Sequence, residues 1–271
     1  MENDADGVGL FRSEYIFINS KTFPTEEEQY NQYMKVVKVL KNKSTIIRTF
    51  DIGADKKVDY FMLSDEANPF LGYRGVRLYK EYEDVFLTQL QALYRASVHG
   101  DLKIMIPMIT SVEEVFFVKE MANKAKENLR QRNLDFNDNM QIGIMIETPA
   151  SALIIEELVK LVDFISIGTN DLTQYVLAMD RENSKLYEIY NPYHLAVLKL
   201  IYNICETAKR NNVEIGVCGE LARDEKMLEF FLMCGVDEIS VSPSFILQCK
   251  KSITEINCHN KTINEFIKVL K

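Results

Sequence analysis

The chain has 271 residues, 47% of them hydrophobic and 27% charged, the balance of a globular protein long enough for one barrel-sized domain and a full core. A net charge of -8 argues against nucleic acid as a partner. No apolar run approaches the ~20 residues of a membrane span. The opening MENDADGVGL lacks the basic and apolar regions of a secretory signal, so a cytoplasmic protein without membrane insertion is expected. Its five cysteines form no CxxC pair, which points to reduced thiols.

In chain order, strand patterns alternate with helix patterns. VGLFRSEYIF reads as a strand running into a loop. TEEEQYNQYMKVVKVLK then reads as a helix, with Thr25 and Glu28 at capping-box spacing and Tyr30, Tyr33, Met34, Val37 and Leu40 on one face. TIIRTFDIG is a strand, while RGVRL looks like the start of a helix. DVFLTQLQALYRAS carries Phe86, Leu90, Leu93 and Tyr94 on one helical side. LKIMIPMI is a strand, and SVEEVFFVKEMANKAKENL opens a helix at a second capping-box pair, Ser111 and Glu114.

QIGIMIETPA is a strand ending at Glu147, followed by a helix at SALIIEELVKLV. The apolar run Phe164–Ile167 stops at Gly168 and Thr169, and Asn170, Asp171 and later Arg181 follow. HLAVLKLIYNICETAKR is helical, VEIGVCGEL a strand, DEKMLEFFLMC a helix, and DEISVSP a last short strand before a weakly patterned tail.

Such alternation implies parallel strands with right-handed crossovers. Seven strands can be counted where a closed (β/α)8 barrel needs eight. The fold expected is therefore an α/β, TIM-type barrel, one domain over residues 1–271, that lacks its first βα unit.

The informative feature is what ends each strand: Arg12 with Glu14, Arg48 with Asp51, Pro107, Glu147, Asn170 with Asp171, and Cys218 with Glu220. In a barrel these ends converge on the face that holds active sites. Taken singly, each carboxylate is as well explained by helix-end electrostatics, and Thr169, Asn170 and Asp171 by capping of the next helix. Taken together, two hard oxygen donors at neighbouring strand ends suit Mg²⁺.

The arginines admit two accounts, a structural pair with Glu14 or Asp51, or a bidentate grip on phosphate or carboxylate. Arg74 and Arg77 can join them from a loop, and Arg181 from beyond Asp171. Cys218 is either a small buried hydrophobe or a proton donor, since an ordinary thiol, of pKa about 8.5, keeps its proton near neutral pH. His99, His194 and His259 have no catalytic setting, and His99 reads as a helix-end partner.

The ordered blocks GVGLFRSEYIF, IRTFDIGADK, NPFLGYRGVRL, IMIPMITSVEEV, GIMIETPASA, SIGTNDLTQYVLAMDR and GVCGELARDE resemble the C-terminal, phosphoenolpyruvate-binding barrel of enzyme I of the bacterial phosphotransferase system. The likeness runs from Asp6 to about Ser244. It implies that Glu147 and Asp171 bind Mg²⁺, that Arg12, Arg48 and Arg181 grip the substrate phosphate with Arg74 close by, and that Asn170 contacts the substrate. It implies in-line transfer of the phosphoryl group to a histidine on a separate domain, and protonation of the enolate at C3 by Cys218. It further implies the histidine-containing phosphocarrier protein as the onward acceptor, in sugar uptake, and a homodimer formed through this domain.

Against that pattern, a chain without the family's phosphohistidine and phosphocarrier-docking domains is expected, Arg223 stands where the resembled family has glycine, Ala54 where it has another glycine, and PSFILQCKKSI departs from the usual ending. Two other functions fit the same residues less well. One is a Mg²⁺-dependent lyase or aldolase; the other is a non-catalytic piece that dimerises through an open sheet edge.

Overall fold

The computed structural model describes residues 3–258 apart from 42, 55 and 57; His259 lies outside the described residues. Seven strands occur among them: β1 (Val8–Arg12), β2 (Thr45–Arg48), β3 (Leu102–Ile106), β4 (Ile142–Ile146), β5 (Phe164–Gly168), β6 (Glu214–Cys218) and β7 (Glu238–Ile239). They follow one another in chain order in the sheet, and every described pairing is parallel. The helices between them include α1 (Glu14–Ile18), α2 (Glu26–Leu40), α3 (Glu83–Ala96), α4 (Val112–Gln131), α5 (Pro149–Leu153) and α6 (Ile155–Leu158). They continue with α7 (Thr169–Leu177), α8 (Leu195–Arg210), α9 (Glu225–Cys234) and α10 (Ile246–Glu255). The strand-helix alternation is that of a (β/α) barrel. The chain divides into two compact units, Asp6–Gly143 and the part from Ile144 onward.

In the first unit, α2 begins where the capping pattern indicates. Thr25 accepts from the Glu28 amide, and Glu28 accepts in return from the Thr25 amide at 2.8 Å. Glu114 does the same for α4, accepting from the amides of Thr110 and Ser111. The apolar side of α3, Phe86, Leu90, Leu93 and Tyr94, is buried as its period requires.

Two segments depart from the sequence pattern. The residues after β1 form the short helix α1 instead of a loop, because Phe17 has an aromatic core to enter: its ring lies 5.1 Å from Phe50 and 6.1 Å from Phe61. The second strand stops at Arg48, and Phe50 turns inward, 4.7 Å from Tyr79, which stacks on Phe86.

A buried polar network holds that turn. The Gln89 carboxamide accepts from the Phe50 amide at 2.9 Å and donates to Ser13 Oγ and to the Tyr33 hydroxyl. Ser13 in turn donates to the Arg48 carbonyl at 2.6 Å, and the Tyr79 hydroxyl donates to the Phe50 carbonyl at 2.9 Å. The backbone on both sides of Arg48 is thus fixed by side chains from α2, α3 and the 75–79 turn. Burial raises the hydroxyls of Tyr33 and Tyr79 well above the ordinary tyrosine range, so both remain donors.

In the second unit, β4 leads into two short helices, α5 and α6, where the sequence suggests one. The chain breaks at Ile154, whose φ of -101° and ψ of 25° end the first helix. The His194 ring caps α8 by accepting from the Ala196 amide, which gives that histidine a structural place. The His99 ring meets the Tyr30 hydroxyl at 2.9 Å.

Replacing Gln89 by Leu leaves the buried Phe50 amide without its acceptor. This should cost about 1–3 kcal/mol of stability, measured by urea unfolding. A neutral result would show that the network does not support the Arg48 turn.

Candidate functional site

The first unit gathers charge at the end of β2. Arg48, 5% exposed, meets Glu14 at 2.5 Å and Asp51 at 3.2 Å. Lys56 reaches the same two carboxylates at 2.9 and 3.3 Å. Arg74 grips Asp51 in a fork, with Nη2 2.8 Å from Oδ2 and Nε 3.3 Å from Oδ1. Arg48, Lys56 and Arg74 thus meet the carboxylates of Glu14 and Asp51 in one buried cluster. Glu14 is fully buried, and its second carboxylate oxygen has no hydrogen-bond partner.

Burial by itself would raise the Asp51 carboxyl. The facing guanidinium of Arg48, with Arg74 and Lys56, overrides it and holds the group well below the usual carboxylate range. The structural pairing of Arg48 with Glu14 and Asp51 is therefore realised. Arg12 ends β1 with an exposed side chain. Arg77 does not join the cluster; it donates to the carbonyls of Leu71 and Gly72.

The second unit carries the other polar strand ends. Glu147 follows β4 and is 1% exposed, and Asp171 is 7% exposed. Glu147 packs on Gly168. A Cβ built on that glycine would lie 2.8 Å from a Glu147 carboxylate oxygen and 2.9 Å from its Cβ, so no other residue fits without displacing the acid. Gly168 is also the N-cap of α7, whose first turn contains Asp171. One backbone point therefore locates both carboxylates.

The helix-capping account of Thr169, Asn170 and Asp171 is not what the fold uses. The cap is Gly168, with no side-chain bond, and the three residues lie inside the first turn. Their side chains go elsewhere. Thr169 donates to the Cys218 carbonyl at 2.7 Å, tying α7 to the end of β6. Asn170 Oδ1 accepts from the Glu220 amide at 2.7 Å. Asp171 accepts from Arg181 at 3.2 Å. A backbone N–H must meet the carboxamide oxygen, so the NH₂ of Asn170 is the group left for a ligand, a donor suited to an anion.

Gly219, at φ +95°, makes the contact with Asn170 possible, since a Cβ there would fall 2.7 Å from Asn170 Oδ1. Cys218 is buried at the end of β6. Beside these residues opens a cavity of about 800 Å³ lined by Asn170, Arg181, Tyr190, Tyr193, Glu220 and Arg223 among others. The Tyr193 hydroxyl, pushed up to about 12 by burial and by its bond to Asp224, stays protonated there.

Glu147 and Asp171 are hard oxygen donors of the kind Mg²⁺ takes, one or two carboxylates with water and substrate oxygens in the remaining positions. No group of three or more His, Cys, Asp or Glu side chains able to cage a metal occurs among the described residues. Lys56, Gln89 and Thr169 are site-building residues that sequence reasoning missed. Lys56 carried a signal as a cation just past a strand end, and Thr169 carried one that pointed to capping instead of to its bond with the Cys218 carbonyl; Gln89 carried none.

A family model described as PEP-utilising enzyme, PEP-binding domain matches residues 1–258. The phosphoenolpyruvate-protein phosphotransferase of Priestia megaterium is 42% identical over 257 residues, 95% of this chain and 45% of that protein. The protein of the same name from Buchnera aphidicola subsp. Acyrthosiphon pisum (strain APS) is 46% identical over 252 residues, 93% of this chain and 44% of its own length. Multiphosphoryl transfer protein 2 of Escherichia coli (strain K12) is 44% identical over 255 residues, 94% of this chain and 31% of its own length. The chain thus spans less than half the length of these curated relatives.

Among solved structures, the Haloferax volcanii malate synthase ternary complex with pyruvate and acetyl-CoA aligns with a TM-score of 0.55 at 12% identity, over 84% of this chain and 55% of that one. A HpcH/Hpal aldolase/citrate lyase family protein from Burkholderia cenocepacia J2315 aligns at 0.52 and 11% identity, over 93% and 95%. At such identities the likeness concerns the fold alone, which is that of a TIM-type barrel.

Two outcomes test these geometries. Gly168→Ala should displace Glu147 and reduce divalent-metal binding with both carboxylates still present; unchanged calorimetric Mg²⁺ affinity would remove Gly168 from that role. Asp51→Asn should lower stability at pH 7 by about 3–5 kcal/mol, because it breaks a buried charge cluster. The depressed Asp51 carboxyl stabilises the fold fully above the ordinary aspartate value of about 3.9, and that contribution is lost as pH falls below it. Unfolding curves from pH 7 to 3 should therefore decline less steeply for the variant.

Proposed function

The chain belongs to the PEP-binding domain family of the PEP-utilising enzymes, and from that premise we propose that it is the catalytic, phosphoenolpyruvate-binding domain of a PEP-protein phosphotransferase. The observation that carries this reading is a family match over residues 1–258 together with relatives of that activity at 42% and 46% identity. The charge pattern of each unit supports it.

In this proposal the cations of the first unit, Arg48 and Arg74 with Arg12 at the neighbouring strand end, serve the substrate phosphate. Guanidinium groups already held in place by Glu14 and Asp51 are oriented before the substrate arrives, which limits reorganisation when the phosphoryl group moves. Arg181 is drawn to the same group, in exchange for its bond to Asp171. Asn170 donates its NH₂ to a substrate oxygen. Glu147 and Asp171 hold Mg²⁺, which when bound supplies Lewis-acid charge neutralisation and a template for carboxylate and phosphate oxygens.

The acceptor is a histidine on a separate domain, from which the group goes on to the histidine-containing phosphocarrier protein for sugar uptake. As the new N–P bond forms, the bond from phosphorus to the enol oxygen breaks, and positioning and charge carry the step. Cys218 gives its thiol proton to C3 of the enolate, and pyruvate is released. A cytoplasmic homodimer is the form in which we expect the domain to act.

Titration calorimetry with phosphoenolpyruvate and Mg²⁺ should give binding that Glu147→Ala or Asp171→Ala abolishes. Binding of equal strength without metal would refute the metal assignment. Cys218→Ala should keep phosphoenolpyruvate binding and, with the phosphohistidine domain supplied, slow pyruvate release by about 10²- to 10⁴-fold. Loss of binding in that variant would make the cysteine structural.

A further inference from the structure

Arg223 and the PSFILQCKKSI stretch, which the sequence reading sets apart from the family it resembles, meet in space. The Arg223 guanidinium lies over the Phe245 ring, 4.7 Å from its centroid, and pairs with the Glu220 carboxylate. All three residues line the cavity of about 800 Å³ beside Asn170 and Arg181. Glu220 and Arg223 are the two ends of one 3₁₀ turn, Glu220–Arg223, immediately after Gly219.

That turn has a second contact. The Glu220 amide is the donor that occupies Asn170 Oδ1 at 2.7 Å. The direction of the Asn170 carboxamide is therefore set by where the Glu220 N–H stands. With the oxygen taken, the NH₂ is presented; with the turn displaced, the carboxamide can rotate and offer its oxygen, which an anionic substrate would repel. Gly219, at φ +95°, is the residue at which the turn leaves β6, and a Cβ there would fall 2.7 Å from Asn170 Oδ1.

We propose that Arg223 is a positioning residue: stacked on Phe245 and paired with Glu220, it fixes the 220–223 turn and so holds the Asn170 carboxamide with its NH₂ toward the ligand. The inference rests on the reading above in which Asn170 contacts phosphoenolpyruvate. Arg223 itself does not touch the substrate in this scheme. A stack and an ion pair, both partly exposed, are worth together about fivefold to tenfold in an equilibrium.

The test has two arms. In the first, the side-chain NH₂ resonances of Asn170, assigned by their loss in Asn170→Ala, are followed in the ligand-free protein. Arg223→Ala should shift or broaden them, Phe245→Leu should do so less, and Arg223→Lys, which keeps the charge pair, should partly restore them. Unchanged resonances in Arg223→Ala overturn the proposal.

In the second arm, calorimetric affinity for phosphoenolpyruvate with Mg²⁺ should fall about fivefold to tenfold in Arg223→Ala, and not fall further when the same change is made in Asn170→Ala. An equal loss in both backgrounds would make Arg223 a direct anion contact and overturn its role through Asn170. If the unaltered protein does not bind phosphoenolpyruvate, the functional reading fails, and the resonance arm still decides whether Arg223 orients Asn170.

Discussion

A guanidinium at the end of an apolar strand cannot be left without counter-charge, and much of the first unit follows from that constraint. Isolated burial of a charge costs far more than folding can supply. Arg48 is therefore met by Glu14 and Asp51, and those acids draw in Lys56 and Arg74 from the loop that follows. The turn that carries Asp51 is itself pinned by Gln89, Ser13 and Tyr79. A buried ion cluster of this kind is weak evidence of stability, because replacing it by apolar residues is often neutral.

In the second unit the governing constraint is steric. Gly168 lets Glu147 lie against the backbone, and Gly219 lets Asn170 approach the turn after β6. Both glycines serve close approach, and both place a polar side chain that the local helix does not need. Thr169, Asn170 and Asp171 could each cap a helix; here each has a tertiary partner instead. Three good capping residues in the first turn whose side chains all bond outside it form a local inconsistency of the sort that marks functional sites.

Much of the fold was legible in the sequence. The capping pairs at Thr25 and Ser111, the apolar side of α3 and the alternation of strand and helix patterns are local signals that tertiary structure had no reason to override, while α2 buries Gln29 with Tyr33, Val37 and Leu40 and leaves Tyr30 and Met34 part-exposed. The strand-end residues Arg48, Glu147, Asn170, Asp171 and Cys218 stood out because polar groups closed apolar runs. What escaped notice were residues whose task depends on a distant partner. Gln89 looks like any helical glutamine until it meets the Phe50 amide, and α1 looks like a loop until Phe17 finds its aromatic neighbours.

The sequence alone determined the alternation of strands and helices and which polar residues end the strands, because periodicity and capping act over a few neighbouring residues. Only the tertiary structure decided which cation pairs with which acid, which face Asn170 presents, and that Arg223 stacks on Phe245. Those outcomes are settled by contacts between segments far apart in the chain, where distance and desolvation choose among partners that are chemically equivalent in the sequence.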